Sequence, residues 1–233
     1  MTMTGPRPEW LTFDCYGTLI QWDEGLLAAV DRILARSGLA IDPHRFIEIY
    51  DRHEHRLEQQ RPELCFKDVA AKALRLAMAE LSLVSGDRDA DILTSAIGKM
   101  PPFPEVVDSL GRLKAAGFKL AIISNTDDAI IAGNVAQLGG HVDKVVTAQH
   151  ARAYKPSAEI FRYAWTTLGI EKHQLVHICA SPHLDLVAAR ALGFRAIWID
   201  RGTGRKPLGD YELEAVASRL DQVPQILADA GWM

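Results

Sequence analysis

Two hydrophobic rhythms alternate along this chain. Residues 9–14 form a short apolar run that ends on a carboxylate, Asp14, and turns at once through Tyr16-Gly17-Thr18. That is the pattern of a short strand with a polar end. From Asp23 the period changes. Leu26, Leu27, Val30, Ile33, Leu34 and Leu39 recur at helical spacing, and Ser37-Gly38 ends the run. Asp42-Pro43 opens a second helix with Phe46, Ile49 and Tyr50 on one side. It becomes strongly polar over Asp51-Arg52-His53-Glu54-His55-Arg56. After Arg61-Pro62 a third helix is expected from near Asp68 to about Leu83, and a fourth over 88–98. No strand pattern interrupts residues 20–100.

The Pro-rich cluster Met100-Pro101-Pro102-Phe103-Pro104 breaks the helical block. Beyond it, helices and strands alternate. Helices are expected over 104–116, 127–138, 157–168 and 184–192, each followed by glycine. Strands are expected at Lys119–Ser124, Lys144–Thr147, Leu175–Cys179 and Ala196–Ile199. Residues 202–210 read as a loop and 222–229 as a closing helix. Alternating β and α units imply a parallel sheet with helices on both faces. The fold class is therefore α/β: a Rossmann-like parallel core formed by 1–19 and 101–233, with a helical block over 20–100 inserted after the first strand.

Composition narrows the function classes. Hydrophobic residues make up 48% and charged residues 24%, with a net charge of −4 of interspersed sign. Nothing there calls for nucleic acid or a membrane as a partner. Met1 to Pro8 lacks the apolar core of a secretory signal. Cys15, Cys65 and Cys179 are far apart and show no metal-ligand or disulfide spacing. A cytoplasmic protein is expected.

The chemistry gathers at the strand ends. The first strand contributes Asp14 and Thr18, the second Ser124 and Asn125. Lys155 follows the third, and Ser181 and Asp185 follow the fourth. In a doubly wound sheet these ends share one edge. Asp14 can act as a nucleophile. Lys155 can keep it ionised. Thr18 and Ser124 can orient it or the substrate. Asp185 can take a proton from water or pair with Lys155. Taken singly, each has a plainer reading: Asp14, Ser124-Asn125 and Asp185 as turn or helix caps, Lys155 as a loop lysine.

Phe-Asp-Cys-Tyr-Gly-Thr-Leu (13–19), Ile-Ile-Ser-Asn (122–125), Ala-Tyr-Lys-Pro (153–156) and Ile-Cys-Ala-Ser-Pro-His-Leu-Asp (178–185) together resemble the four motifs of the haloacid dehalogenase superfamily. Phosphatases of that superfamily carry a second Asp two residues after the nucleophile. Here Tyr16 stands there, as in the 2-haloacid dehalogenases. A halide leaves without a proton, so it needs no general acid; an alkoxide does. The resemblance implies attack by Asp14 on C2 of a short (S)-2-haloacid, with inversion, followed by hydrolysis of the aspartyl ester. It implies catalytic Asp14, Lys155 and Asp185, with Tyr16, Thr18, Arg52, Ser124, Asn125 and Ser181 around the substrate. No metal or cofactor is expected. The expected partner is a small 2-halocarboxylate, and a homodimer is compatible with the resemblance. The resemblance makes the inserted block 20–100 a helical cap domain and Arg52 its arginine facing halide and substrate, with Arg56 as competitor; a solvated, salt-bridged helix face is the plainer reading of both.

The chain departs from this pattern in three places. Ala180 and Pro182 replace a serine and an asparagine before the fourth-motif Asp. Phe161 replaces a tyrosine six residues after the motif Lys. These changes leave two other functions in view: a magnesium-dependent phosphatase acting on a small phosphorylated metabolite, and a non-catalytic binding protein on the same fold.

Overall fold

The computed structural model describes residues 5–35, 41–61 and 63–233. The first four residues, the Ser37-Gly38 helix stop with Leu39, and Pro62 lie outside the described residues. Six strands form one sheet: β1 (Trp10–Phe13), β2 (Lys119–Ser124), β3 (Lys144–Thr147), β4 (Leu175–Cys179), β5 (Arg195–Ile199) and β6 (Ala215–Ala217). Their order is β3-β2-β1-β4-β5-β6, and every pairing is parallel. β1 and β4 are buried along their whole length. Strands covered on both faces read as continuous apolar runs, which is why both were legible. The order reverses at β1, whose neighbours are β2 and β4. That switch opens a crevice beyond the C-terminal end of β1, where Asp14 follows.

Among the described residues, four helices lie between β1 and the rest of the sheet in the sequence: α1 (Trp22–Leu34), α2 (Pro43–Glu58), α3 (Phe66–Glu80) and α4 (Asp89–Ile97). They pack on one another, α1 against α2 and α4, α3 against the same two. α2 starts as expected: the Asp42 side chain accepts from His44 N at 3.0 Å, and Pro43 occupies the first turn. α3 starts at Phe66, earlier than Asp68. The cause lies far along the chain. Asp127 accepts hydrogen bonds from Phe66 N at 2.9 Å and Lys67 N at 2.8 Å, so a core carboxylate caps this helix. α3 also stops at Glu80, short of Leu83, because Ser82 turns into the left-handed region at φ 56°.

In the second half the helices are α5 (Val106–Ala115), α6 (Asp128–Val135), α7 (Ala148–Ala151), α8 (Ala158–Leu168), α9 (Val187–Leu192) and α10 (Val223–Asp229). Gly169 ends α8 at φ 68° and Gly193 ends α9 at φ 70°, the left-handed cap that glycine adopts without strain. α6 is shorter than the expected 127–138. α7 and β6 were not expected, since neither is long enough to show a period. The expected helix over 184–192 begins as a wide turn at Pro182–Leu186 before narrowing into α9. Among the described residues no helix is long and apolar enough to cross a membrane.

Candidate active site

Asp14 sits one residue past β1, its backbone N–H still donating to Ile178 O across the sheet at 3.0 Å. Its two carboxylate oxygens are held separately. Lys155 Nζ donates to Oδ1 at 2.7 Å, and Thr18 Oγ1 donates to Oδ2 at 2.7 Å. Thr18 itself accepts from Ala180 N at 2.9 Å. The turn carrying Thr18 is tied down by Arg201, which donates to Thr18 O and pairs with buried Glu105 at 2.6 Å. Lys155 is fully buried and also donates to Asp185 Oδ1 at 2.8 Å. One ammonium therefore bridges two carboxylates from opposite sides of the switch point.

The two carboxyls respond differently. Burial pushes Asp14 up from its ordinary value, more than Lys155 pulls it down. Asp185 is held below its ordinary value: burial would raise it, but Lys155 and His177 together outweigh that effect. The same two carboxylates overcome the burial of Lys155 and raise its ammonium well above the usual range. Opposite charges at hydrogen-bond distance account for each direction.

Sequence reasoning missed His177. It lies in the middle of β4, fully buried, in register with Thr12 on β1. His177 Nε2 donates to Asp185 Oδ1 at 3.0 Å, and Thr12 Oγ1 lies 2.8 Å from Nδ1, where its hydroxyl can donate. The signal was present: a histidine inside a fully apolar parallel strand must find polar partners. Phe161 meets its ring edge-on at a centroid distance of 5.8 Å. The position that lacks the expected tyrosine hydroxyl thus packs directly on a residue that supplies another polar group to Asp185.

Above Asp14 opens a cavity of about 130 Å³. Tyr16, Ser124, Asn125, Lys155 and Ser181 line it, so five of the expected residues meet there with Asp14. Tyr16 presents its ring; its hydroxyl donates to Asn134 Oδ1 at 2.9 Å. Asn125 is fixed by Lys155 N, which donates to its Oδ1 at 2.6 Å. Ser124 Oγ is buried and has no partner. Thr18 and Asp185 do not reach the cavity wall. Both are fully buried behind it, so they act on Asp14 and Lys155 rather than on a ligand.

Arg52 requires correction. It is half exposed and pairs with Glu80 of α3 at 2.5 Å, away from the cavity. Arg56 is exposed as well and does not line it. The reason is helical phase. α2 turns Asp51, Glu54, His55 and Glu58 toward the cavity, at spacings of three and four, which leaves Arg52 and Arg56 off that face. The arginine that does line the cavity is Arg205, from the loop after β5.

A model of the haloacid dehalogenase-like hydrolases matches residues 9–193. The chain belongs to this family. Among relatives of this hydrolase, haloacetate dehalogenase H-2 of Moraxella sp. (strain B) is 30% identical over 138 residues, covering 58% of this chain and 61% of that protein. The (S)-2-haloacid dehalogenase 4A of Burkholderia cepacia is 25% identical over 216 residues, covering 92% and 91%. The structure of L-2-haloacid dehalogenase from Xanthobacter autotrophicus shares the fold with a TM-score of 0.81 at 19% identity, covering 95% of this chain and 98% of that one.

The hydrolase has one group of three His, Cys, Asp or Glu side chains, among the described residues, whose ligand atoms lie within 4.8 Å of one another: His177, Cys179 and Asp185. It does not fit a divalent cation. Asp185 Oδ1 already accepts from Lys155 Nζ at 2.8 Å and from His177 Nε2 at 3.0 Å, so a cation there would share that oxygen with an ammonium. Nor do Asp14 and Asp185 suit magnesium, which seeks an octahedron of oxygens. The space between them is filled by the Lys155 Nζ that binds both.

Proposed function

We propose that this hydrolase displaces a leaving group, halide in the first instance, from C2 of a short carboxylic acid, with Asp14 as nucleophile. Residues 1–19 and 101–233 form the catalytic core, and 20–100 form the cap that closes the cavity. The observation that carries this reading is the clamp on Asp14: one oxygen on Lys155 Nζ, the other on Thr18 Oγ1, at the floor of a cavity. A buried carboxylate has shed much of its hydration, which leaves a more reactive oxygen than an exposed one. Burial alone would favour its protonated form; Lys155 opposes that.

In the first step an Asp14 oxygen forms a bond to C2, and the carbon–halogen bond breaks with its electron pair leaving on the halide. The configuration at C2 inverts. In the second step water adds to Cγ of Asp14 and the Cγ–O ester bond breaks; one proton of that water goes to the departing C2 oxygen, giving a 2-hydroxy acid, and the other is released to solvent as the Asp14 carboxylate re-forms. Lys155 stabilises the charge that develops on the Asp14 oxygens. Asp185 and His177 hold Lys155 in place. Ser124, Asn125 and Ser181 receive the substrate's polar groups, and Tyr16 offers the face of its ring. The relatives' names as haloacetate and (S)-2-haloacid dehalogenases support the substrate class, and Tyr16 at the place of a phosphatase general acid supports a leaving group that needs no proton.

Single turnover of 2-chloropropanoate in ¹⁸O-water tests the route. The expected result is unlabelled oxygen in the product and heavy oxygen in Asp14. Label passing directly into product in that one turnover would mean that water attacks C2 itself.

A further inference from the structure

The cap wall of the cavity is rich in carboxyls, which a simple haloacid does not call for. Asp51, Glu54 and Glu58 all point into it from one face of α2. Glu54 is 6% exposed and Glu58 3%. Their partners are neutral: Tyr50 donates to Glu54 Oε1 at 2.7 Å, and Asn125 Nδ2 to Glu58 Oε2 at 3.2 Å. Asp51 Oδ1 has no partner. Of the cavity's cations, Lys155 is bound to Asp14 and Asp185, and Arg205 pairs with Asp23 at 3.4 Å; Lys155 pulls on Glu58 and Arg205 on Asp51, each by less than burial pushes that carboxyl up.

This arrangement is costly as it stands. Buried carboxyls ordinarily have a cation or several donors. Here burial, with Asp51 as neighbour, pushes Glu54 up to about 8, and burial with Glu54 pushes Glu58 well above the usual carboxylate range. A cation brought by the ligand would relieve all of them at once, in surroundings where water screens poorly.

A second, separate feature points to what else the ligand carries. Ser124 is 1% exposed, lines the cavity from the core side, and its hydroxyl is unpartnered. Beside it stands Lys155, the one buried ammonium of the cavity floor. This side offers a donor and positive charge; the α2 side offers three carboxyls and the His55 ring, whose pKa burial, with His183 and Arg205 nearby, pushes below its ordinary value.

We propose that the natural substrate is a zwitterion: a short acid with its leaving group at C2 and a protonated amine on the chain, its carboxylate toward Ser124 and its ammonium against Glu54 and Glu58. This rests on the hydrolase reading for the reacting carbon, and on the cap wall alone for the amine.

The test compares matched pairs on the wild-type protein. Calorimetry measures binding of 3-aminopropanoate against propanoate, which needs no turnover. Chloride release, with the enzyme-free rate subtracted, compares 3-amino-2-chloropropanoate with 2-chloropropanoate. The amine-bearing member of each pair is expected to win by at least about tenfold, the scale of one charged contact. Its binding should also release protons, seen as a heat that depends on the buffer, because the ammonium ionises the Glu54 and Glu58 carboxyls. Glu54→Gln and Glu58→Gln should each shrink the ratio within a pair. Equal or tighter binding of propanoate overturns the proposal and makes the wall a set of neutral donors to a carboxylate; the hydrolase reading would survive that result. Tighter binding of 3-aminopropanoate with no chloride from either chloroacid would keep the ammonium site and remove the hydrolase reading.

Discussion

His177 Nε2 and Lys155 Nζ converge on the same oxygen of Asp185, at 3.0 and 2.8 Å, so a histidine inside β4 is joined through one carboxylate to the ammonium that holds Asp14. All three side chains are essentially buried. Asp185 therefore works as a hinge-pin for Lys155, and His177 sets the orientation of that pin. A network of this kind loses more than one bond when a member is removed, since the remaining groups stay buried and unpaired.

Loss of His177 is expected to act on kcat rather than KM. His177→Leu removes a donor that helps keep Asp185 ionised, so the pKa of Asp185 rises and the acid limb of the kcat profile moves to higher pH. The expected loss is about 1–3 kcal/mol of transition-state stabilisation, the range for orphaning a buried polar group. His177→Gln, which keeps a donor, should recover part of it. An unmoved acid limb with kcat intact would make His177 a structural residue only.

Asp14→Asn should abolish halide release while the protein still melts cooperatively, because an amide is a very poor nucleophile. Retention of substantial turnover would remove Asp14 from the nucleophile role.

Lys155→Ala should cost roughly 2–4 kcal/mol in kcat/KM, the scale of one preorganised donor to developing charge. It also leaves Asp14 and Asp185 facing each other without a cation, so both carboxyls should titrate higher than in the wild type. A loss smaller than about threefold, less than one hydrogen bond contributes, would contradict the clamp.

The two arginines should separate cleanly. Arg52→Ala removes an exposed pair with Glu80 and should change kcat/KM by less than about twofold, since such pairs contribute little. Arg205→Ala removes a cavity-lining cation and should cost about tenfold or more. Steady-state kinetics of both variants on one substrate decides the matter, and the reverse order would restore the cap arginine to the substrate.

Glu54 sets a pH dependence of stability. Burial raises its carboxyl from 4.5 to about 8. The folded chain therefore keeps a proton that the unfolded chain releases. This contribution is fully present below about pH 4.5 and is lost as pH rises toward about 8. Glu54→Gln stays neutral throughout. Its melting temperature relative to wild type should climb across that window, by about 2–4 °C for each kcal/mol recovered. A difference that stays flat from about pH 5 to about pH 8 would show that Glu54 is not held protonated.

Much of this protein was written in local pattern. The buried strands, the glycine stops after α8 and α9, and the helical block after β1 follow from periodicity, because burial on two faces or one imposes a run or a stripe on the residues themselves. Asp14 and the Ser124-Asn125 pair were legible for a related reason: each is polar where an apolar strand ends, and a parallel sheet brings such ends to one edge; Lys155 was legible as the lysine of the segment that follows β3. What periodicity could not carry is whatever depends on a distant partner. The start of α3 at Phe66 is set by Asp127, some sixty positions away in the core. The rotation of α2 about its axis decides that Asp51, Glu54 and Glu58 rather than Arg52 face the cavity, and that rotation is fixed by packing against α1 and α3, not by the polar residues themselves. Arg205 comes from a loop without any period. Thr12 and His177 become a hydrogen-bonded pair only through the register between β1 and β4. Sequence thus determined which elements form and which end of the sheet bears the chemistry, since both depend on neighbours along the chain. Tertiary structure decided which polar groups line the cavity, since that depends on which faces are turned inward.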